Sequence, residues 1–351
     1  MPWQDRAITV AAQNRKVLDR LLYNSGMAAL IEPASSLPSA ELIELRDLRS
    51  HDLKDLLEEE IDVWRDALEW DFHASAELVD RFVDQRALNG FALIEHGKVF
   101  GYSYFVHDEH KGLIGDLYVR RALRSPEHEH RLLAAVVDSL MRMQYVMRIE
   151  TQLMMLGPGH SSLPGSRFLR SYDRNFMRID LQRTALPKPR PPRTRICYGP
   201  WEDWHQDAAA HLIPDSYRGH IDSRINDQYD TVSGARRFLY NIVQYPGCGT
   251  FFRPASHVAL DRLSGKLCGL SLCSLVARET GHITQICVAP SHRGTGLGYE
   301  LLRQSLSGLE AAGCRSATLT VTGGNREAVG LYERVGFETI RRFRAFVWEG
   351  F

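Results

Sequence analysis

At 351 residues the chain is long enough for two domains, each able to bury a core. Its 43 basic and 43 acidic side chains cancel to a formal net charge of zero, so no overall field steers it to nucleic acid or to an anionic membrane. No apolar run spans a membrane, no signal-peptide core opens the chain, and the six cysteines form neither a C-x-x-C pair nor a zinc spacing, which points to reduced thiols in a cytoplasmic protein without a metal.

Residues 1–38 read as a helical extension, with Val17, Leu18, Leu21 and Leu22 on one face. It could pack on its own chain or on a second subunit, so a homodimer is compatible with it. Residues 39–184 read as a first domain. A strand at LIELRDL leads into helices near Asp52–Leu68 and Ala76–Ala87, then a hairpin over Gly90–Val106 turning at His96-Gly97. A strand at Leu113–Val119, a helix over Glu129–Met143, and strands near Met147–Met155 and Asn175–Leu181 complete it. The proline-rich stretch 185–194 reads as an extended, semi-rigid linker.

Residues 195–351 repeat that order. RICYGP leads into helices near Trp204–Leu212 and Gly234–Gln244, and a hairpin over His257–Val276 turns at Ser264-Gly265. The apolar strand Ile283–Val288 then runs into SHRGTGLG and a helix carrying Leu297, Leu301, Leu302, Leu306 and Leu309 up to Gly313. A strand followed by a glycine-rich turn and a helix aims free N–H groups and a helix dipole at one spot, which suits a phosphate. Gly294, Gly296 and Gly298 lack the Cβ atoms that would hold a diphosphate off the backbone, and Arg293 adds a guanidinium. No Lys-Ser or Lys-Thr follows the last glycine, and G-T-G-L-G is not a dinucleotide fingerprint. A plain tight turn at a helix start fits the loop alone equally well.

Arg293, Gly296 and Gly298 form R-x-x-G-x-G, and Asn325, Ala328, Tyr332, Gly336 and Phe337 form N-x-x-A-x-x-x-Y followed by Gly-Phe. In that order, these two signatures resemble the GNAT superfamily of acyl-CoA N-acyltransferases. The resemblance covers about residues 195–351. With the internal repeat, it implies an α/β chain of two tandem GNAT folds, each a mixed central sheet flanked by helices. The first copy has RALRSPEHE where the second has HRGTGLG, which offers no glycine and adds Glu127 and Glu129, so it is expected to have lost acyl-CoA binding.

The resemblance further implies transfer of an acetyl group from acetyl-CoA, or another acyl group from its CoA ester, straight to the amine of a small molecule or peptide. The CoA contacts it implies are Ile286, Val288, Arg293, Gly294, Thr295, Gly296, Leu297, Gly298, Asn325 and Tyr332. Of these, the Val288 N–H would meet the oxyanion and Tyr332 would protonate the leaving thiolate. Tyr332 also fits a core tyrosine with a wet hydroxyl, and Asn325 a helix N-cap. Cys287 reads as core rather than nucleophile.

The base position of the family falls on His282, which also fits an exposed strand-end residue. A regular strand would put His282 and Thr284 on one face and Gln285 on the other. A bulge would favour Glu279 or an acceptor-loop aspartate. Asp222, Asp227 and Tyr229 are the candidate acceptor contacts, and a solvated capping loop explains them equally simply. Two other functions stay open, an acyl-CoA sensor without turnover and transfer to a non-amine acceptor.

Overall fold

The computed structural model describes residues 40–108, 110–157, 162–186, 188, 195–245 and 247–351; the N-terminal extension and most of the linker lie outside the described residues. The first half runs β1 (Glu41–Glu44), α1 (Ser50–Leu68), α2 (His73–Asp84), β2 (Asn89–Glu95), β3 (Lys98–Asp108), β4 (Lys111–Val119), α3 (Pro126–Met141), β5 (Arg148–Gln152) and β6 (Leu169–Asp180). The second runs β7 (Ile196–Pro200), α4 (Gln206–Tyr217), α5 (Val232–Gln244), β8 (Thr250–Phe251), β9 (His257–Asp261), β10 (Leu267–Ala277), β11 (Thr280–Val288), α6 (Leu297–Ala311), β12 (Ser316–Thr322), α7 (Arg326–Val335) and β13 (Glu338–Glu349). The expected hairpin turns are there. His96 and Gly97 both take positive φ, 51° and 74°, as a two-residue turn of this hand requires.

Among the described residues the strands form one sheet, in the order β1-β2-β3-β4-β5-β13-β6-β12-β11-β10-β9-β7, with β8 on β10. Its centre is an exchange: the chain's last strand, β13, lies against β5 of the first half, while β6 of the first half lies against β12 of the second. β6 and β13 pair antiparallel along their length. Alternation then assigns side chains to cores across the exchange. Phe346 and Trp348 of β13 are buried with Leu132, Leu133 and Val136 of α3, whereas Met177 and Ile179 of β6 are buried with Leu302, Leu306 and Leu309 of α6.

Helices cover both faces of the sheet. α1 and α2 lie on the first half's front face and α4 and α5 on the second's, with α3 and α6 behind. The Leu297–Leu309 stripe read from the sequence is fully buried, as a 3.6-residue period facing one sheet dictates. No helix among the described residues is long and apolar enough to cross a membrane.

Two carboxyl groups are sealed inside the first half. Glu60 of α1 takes hydrogen bonds from Tyr102 Oη (2.8 Å) and Trp64 Nε1 (3.3 Å), and it is hydrogen-bonded to Asp116 of β4. Burial raises both above the carboxylate range, Asp116 to about 6, and Asp116 adds to the rise of Glu60 by like-charge repulsion. The folded state therefore keeps a proton that the unfolded chain releases, and stability falls as pH climbs from the unfolded carboxyl pKa of about 4 through 6. Glu60→Gln should melt about 2–4 °C above the wild type at pH 8, with the curves converging near pH 4. Thermal melts with parallel pH slopes would refute the shared proton.

Candidate active site

β11 builds the site through two irregularities. First, its ladder with β10 slips between Gln285↔Leu272 and Ile283↔Cys273, leaving Thr284 as the extra residue of a bulge. His282, Gln285 and Cys287 consequently share one face, Gln285 and Cys287 under α4 and His282 against Trp70 and Phe176, while Ile283, Ile286 and Val288 face α6. The regular alternation, with Gln285 opposite His282, does not hold. Second, β11 pairs with β12 only from Thr280 to Ile283, after which the two strands diverge. Ala289 gives its N–H to Cys268 O on the β10 side (2.9 Å), so alternation turns the N–H groups of Ile286 and Val288 toward the gap. The carbonyl of Ile286 faces it as well, accepting Tyr217 Oη at 3.4 Å.

The glycine loop closes that gap. Gly294 and Gly296 take φ of 67° and 86°, and Gly296 is the N-cap of α6 with no capping side chain. That leaves the first N–H groups of α6 open to an anion. Thr295 Oγ1 donates to His292 O (2.6 Å) and fixes the turn, and Leu297 is buried. Gly298 has ordinary helical φ, and a Cβ there would meet only Val288 Cγ2, at 3.6 Å. The protein itself gives no reason for glycine here, where alanine would favour the helix by about 1 kcal/mol. A ligand against the backbone would give one. Arg293 reaches the Ser216 carbonyl at the end of α4, tying the loop to the acceptor side.

On the other wall of the gap, Asn325 Oδ1 caps α7 through the Ala328 N–H (3.3 Å). α7 carries Tyr332, which is 6% exposed and packs edge-on to Phe337. Burial and the charge of Asp222 push the Tyr332 phenol far up, against the pull of Arg174, so it stays a protonated donor. Asp222 sits in the turn Ile221–Arg224 after α4. Its Oδ1 lies 3.2 Å from Arg174 Nη1 of β6 and accepts the Thr322 hydroxyl at the end of β12. Tyr229 stacks on Tyr217 at 4.5 Å, and a chain of hydrogen bonds runs from Tyr229 Oη through Gln285 to Tyr217 Oη.

Other candidates fall elsewhere. Asp227 is drawn into an ion cluster with Lys111, Glu150 and Arg148 of the first half. His282 is not an exposed strand end. Its ring lies edge-on to Trp70 and parallel to Phe176, and its Nδ1 pairs with Thr318 Oγ1 at 2.8 Å. Thr318 spends its own proton on Gly281 O, so His282 Nδ1 is the donor. Burial pushes this imidazole down to about 4, and the Trp70 and Phe176 rings enclose it. Glu279 pairs with Arg315 at the far end of β11, beside a groove of about 680 Å³ between the halves that Trp70, Arg178 and Glu69 also line. Cys287 is buried beneath α4, and burial raises its thiol to about 12, so no thiolate forms there.

Arg174 and Thr322, not singled out in the sequence, complete the site. No motif marks Arg174, because its place depends on the strand exchange.

The first half has the same slip, between Tyr104↔Asp116 and Phe105↔Ile114, and the same divergence of β4 from β5 beyond Ile114. Its counterpart of the glycine loop is occupied from within. The Glu129 carboxylate accepts the Gly157 N–H (2.9 Å) and Arg124 Nε (2.7 Å), with its side chain 3% exposed.

Residues 223–337 match the family described as Acetyltransferase (GNAT). A mycothiol acetyltransferase of Streptomyces avermitilis is 38% identical over 90 residues, which is 25% of this chain and 29% of that protein. The N-alpha-acetyltransferase MAK3 of Arabidopsis thaliana is 30% identical over 89 residues, 24% and 47% of the two chains. The chain thus spans less than half the length of either relative. Among solved structures, a GCN5-related N-acetyltransferase from Sphaerobacter thermophilus superposes with a TM-score of 0.65 at 17% identity, covering 90% of this chain and 97% of its own. A tandem GNAT protein from the clavulanic acid biosynthesis pathway does so at 0.55 and 17%, covering 89% and 98%. Both share the fold. The match to the acetyltransferase (GNAT) model over residues 223–337 thus lies on a chain whose fold is shared with a tandem GNAT protein.

Proposed function

We propose that the second half transfers an acetyl group from acetyl-CoA to a primary amine in a ternary complex. The observation that carries this is the open gap between β11 and β12, closed at one end by the glycine loop and flanked by Tyr332 and Asp222. The diphosphate of the co-substrate would meet the N–H groups of Gly296–Gly298 at the start of α6, and its thioester arm would lie along the backbone of Ile286 and Val288. The amine would rest against Asp222, whose carboxylate takes the ammonium proton. The amine lone pair then attacks the thioester carbon, and the Val288 N–H receives the oxyanion. When the carbon–sulfur bond breaks, its electron pair goes to sulfur, the nitrogen gives up its second proton to solvent to leave the neutral amide, and Tyr332 supplies the thiol proton, which solvent replaces.

His220 is the other basic group beside Asp222. Its Nδ1 accepts the Asp222 N–H at 3.2 Å, which places the neutral ring's proton on Nε2 and leaves no nitrogen to act as a base. We assign a single acyl-CoA site per chain and read the first half as a copy without one, since Glu129 lies where the co-substrate's anion would enter.

Acetyl-CoA should bind with a stoichiometry of about one, and Gly298→Glu should abolish that binding by placing bulk and negative charge against the diphosphate. Calorimetry showing two equivalent sites, or normal affinity in this variant, would contradict the assignment. Turnover on spermidine, glucosamine, L-lysine and alanyl-alanine tests the reaction itself, and tight binding with no acetylation of any of them would favour a sensor. With an accepted amine, Tyr332→Phe should lower kcat roughly ten- to a thousandfold while leaving acetyl-CoA affinity nearly intact. Equal loss of binding would make Tyr332 structural instead.

A further inference from the structure

We propose that Arg174, carried by the first half of the chain, is a positioning residue that fixes the Asp222 carboxylate for the reaction of the second half. This rests on the acyl-transfer reading above. Arg174 stands opposite Thr322 in the β6–β12 ladder and opposite Phe343 in the β6–β13 ladder, so sheet pairing on both sides sets its place. Its Nη1 lies 2.6 Å from Thr322 Oγ1 and 3.2 Å from Asp222 Oδ1, and the Thr322 hydroxyl donates to that same oxygen. One carboxylate oxygen is thereby anchored by two donors.

The other oxygen, Oδ2, lies 3.6 Å from His220 Nδ1, whose lone pair the Asp222 N–H already occupies, so it keeps its lone pairs for an amine. The two side chains are only 12% and 16% exposed, so solvent screens the pair weakly. The Nε of Arg174 is buried without a hydrogen-bond partner. Burying a guanidinium with a donor unmet is costly, and the cost is explained if the charge is needed at Asp222. The remaining titratable groups around Asp222 are the phenols of Tyr217 from α4, Tyr229 from the following turn and Tyr332 from α7, each raised partly by its charge. None of these supplies a cation. Arg174 is therefore the cation that fixes the Asp222 carboxylate.

The test uses the full chain and whichever of the four amines above turns over fastest. Arg174→Met should lower kcat/KM for the amine by about tenfold or more, with the KM for acetyl-CoA unchanged within about twofold. Arg174→Lys, which keeps the charge but loses the planar fork, should fall between, and it covers the case where the Met variant folds poorly. Combined with Asp222→Asn, Arg174→Met should add little further loss. A KM for acetyl-CoA that rises in step with the loss, or losses that multiply in the double variant, would overturn the proposal and leave Arg174 a packing residue. Asp222→Asn with wild-type kcat/KM for the amine, or no acetylation of any amine, would instead remove the reading on which the proposal rests.

Discussion

The pairing of β6 with β13 is the constraint on which the rest depends. Each half, taken alone, would end its sheet at an open edge beside β5 or β12, and exposed edges of that kind invite association. The exchange pairs both edges with strands from the other half, and each arriving strand brings core residues with it: Phe346 and Trp348 one way, Met177 and Ile179 the other. The halves therefore cannot separate without opening both cores. At roughly 3–5 kcal/mol for truncating a large core aromatic, Trp348 alone commits much of a typical domain's stability to the junction.

The acceptor side depends on the same junction. Asp227 is held by Lys111 of β4 and gives its N–H to Glu150 of β5 (3.1 Å), while Arg148 holds Glu150 at 2.5 Å and reaches the Arg224 carbonyl at 2.8 Å. Arg148 also meets Glu349, at the far end of β13. These side chains come from strands whose mutual spacing the sheet fixes, so the turns carrying Asp222 and Asp227 are pinned to a rigid support. Removing one member of such a buried pair strands its partner's charge, at a cost of about 3–5 kcal/mol. A loop that looks free to vary in sequence is thus among the more constrained parts of the site.

What the sequence made legible follows from how local each signal is. The order of elements, the hairpin turns, the Leu297–Leu309 stripe and the glycine loop each depend on a few neighbouring residues, and each is where the residues placed it. The tandem architecture was also readable, because the repeat of element order needs no contact information. The exchange was not, since β6 and β13 carry the same alternating pattern whichever neighbour they take. Nor was the environment of His282. One extra residue at Thr284 moves Gln285 to the face of His282, and Trp70 and Phe176, more than a hundred positions away in the chain, enclose the ring. Arg174 was missed for the first reason, and the ion partners of Asp227 were out of view because they lie in the other half.

Both copies retain the bulge and the divergence of the central strands, yet they treat the resulting polar groups in opposite ways. In the first half the space is closed with the chain's own atoms. Glu129 and Arg124 satisfy the Gly157 N–H and each other, Glu60 and Asp116 share a proton beneath Tyr102, and Trp64 stacks on Phe72 at 4.8 Å. In the second half the corresponding N–H groups of Ile286, Val288 and the start of α6 face a gap, and Gly298, whose added Cβ would meet only Val288, stands at the start of α6 beside it. Buried backbone donors left without partners cost free energy, so a fold keeps such a gap only where something outside the chain completes it. The bulge sets the geometry in both halves, and in the second the nearby acid, Asp222, meets a guanidinium, Arg174, supplied from the first.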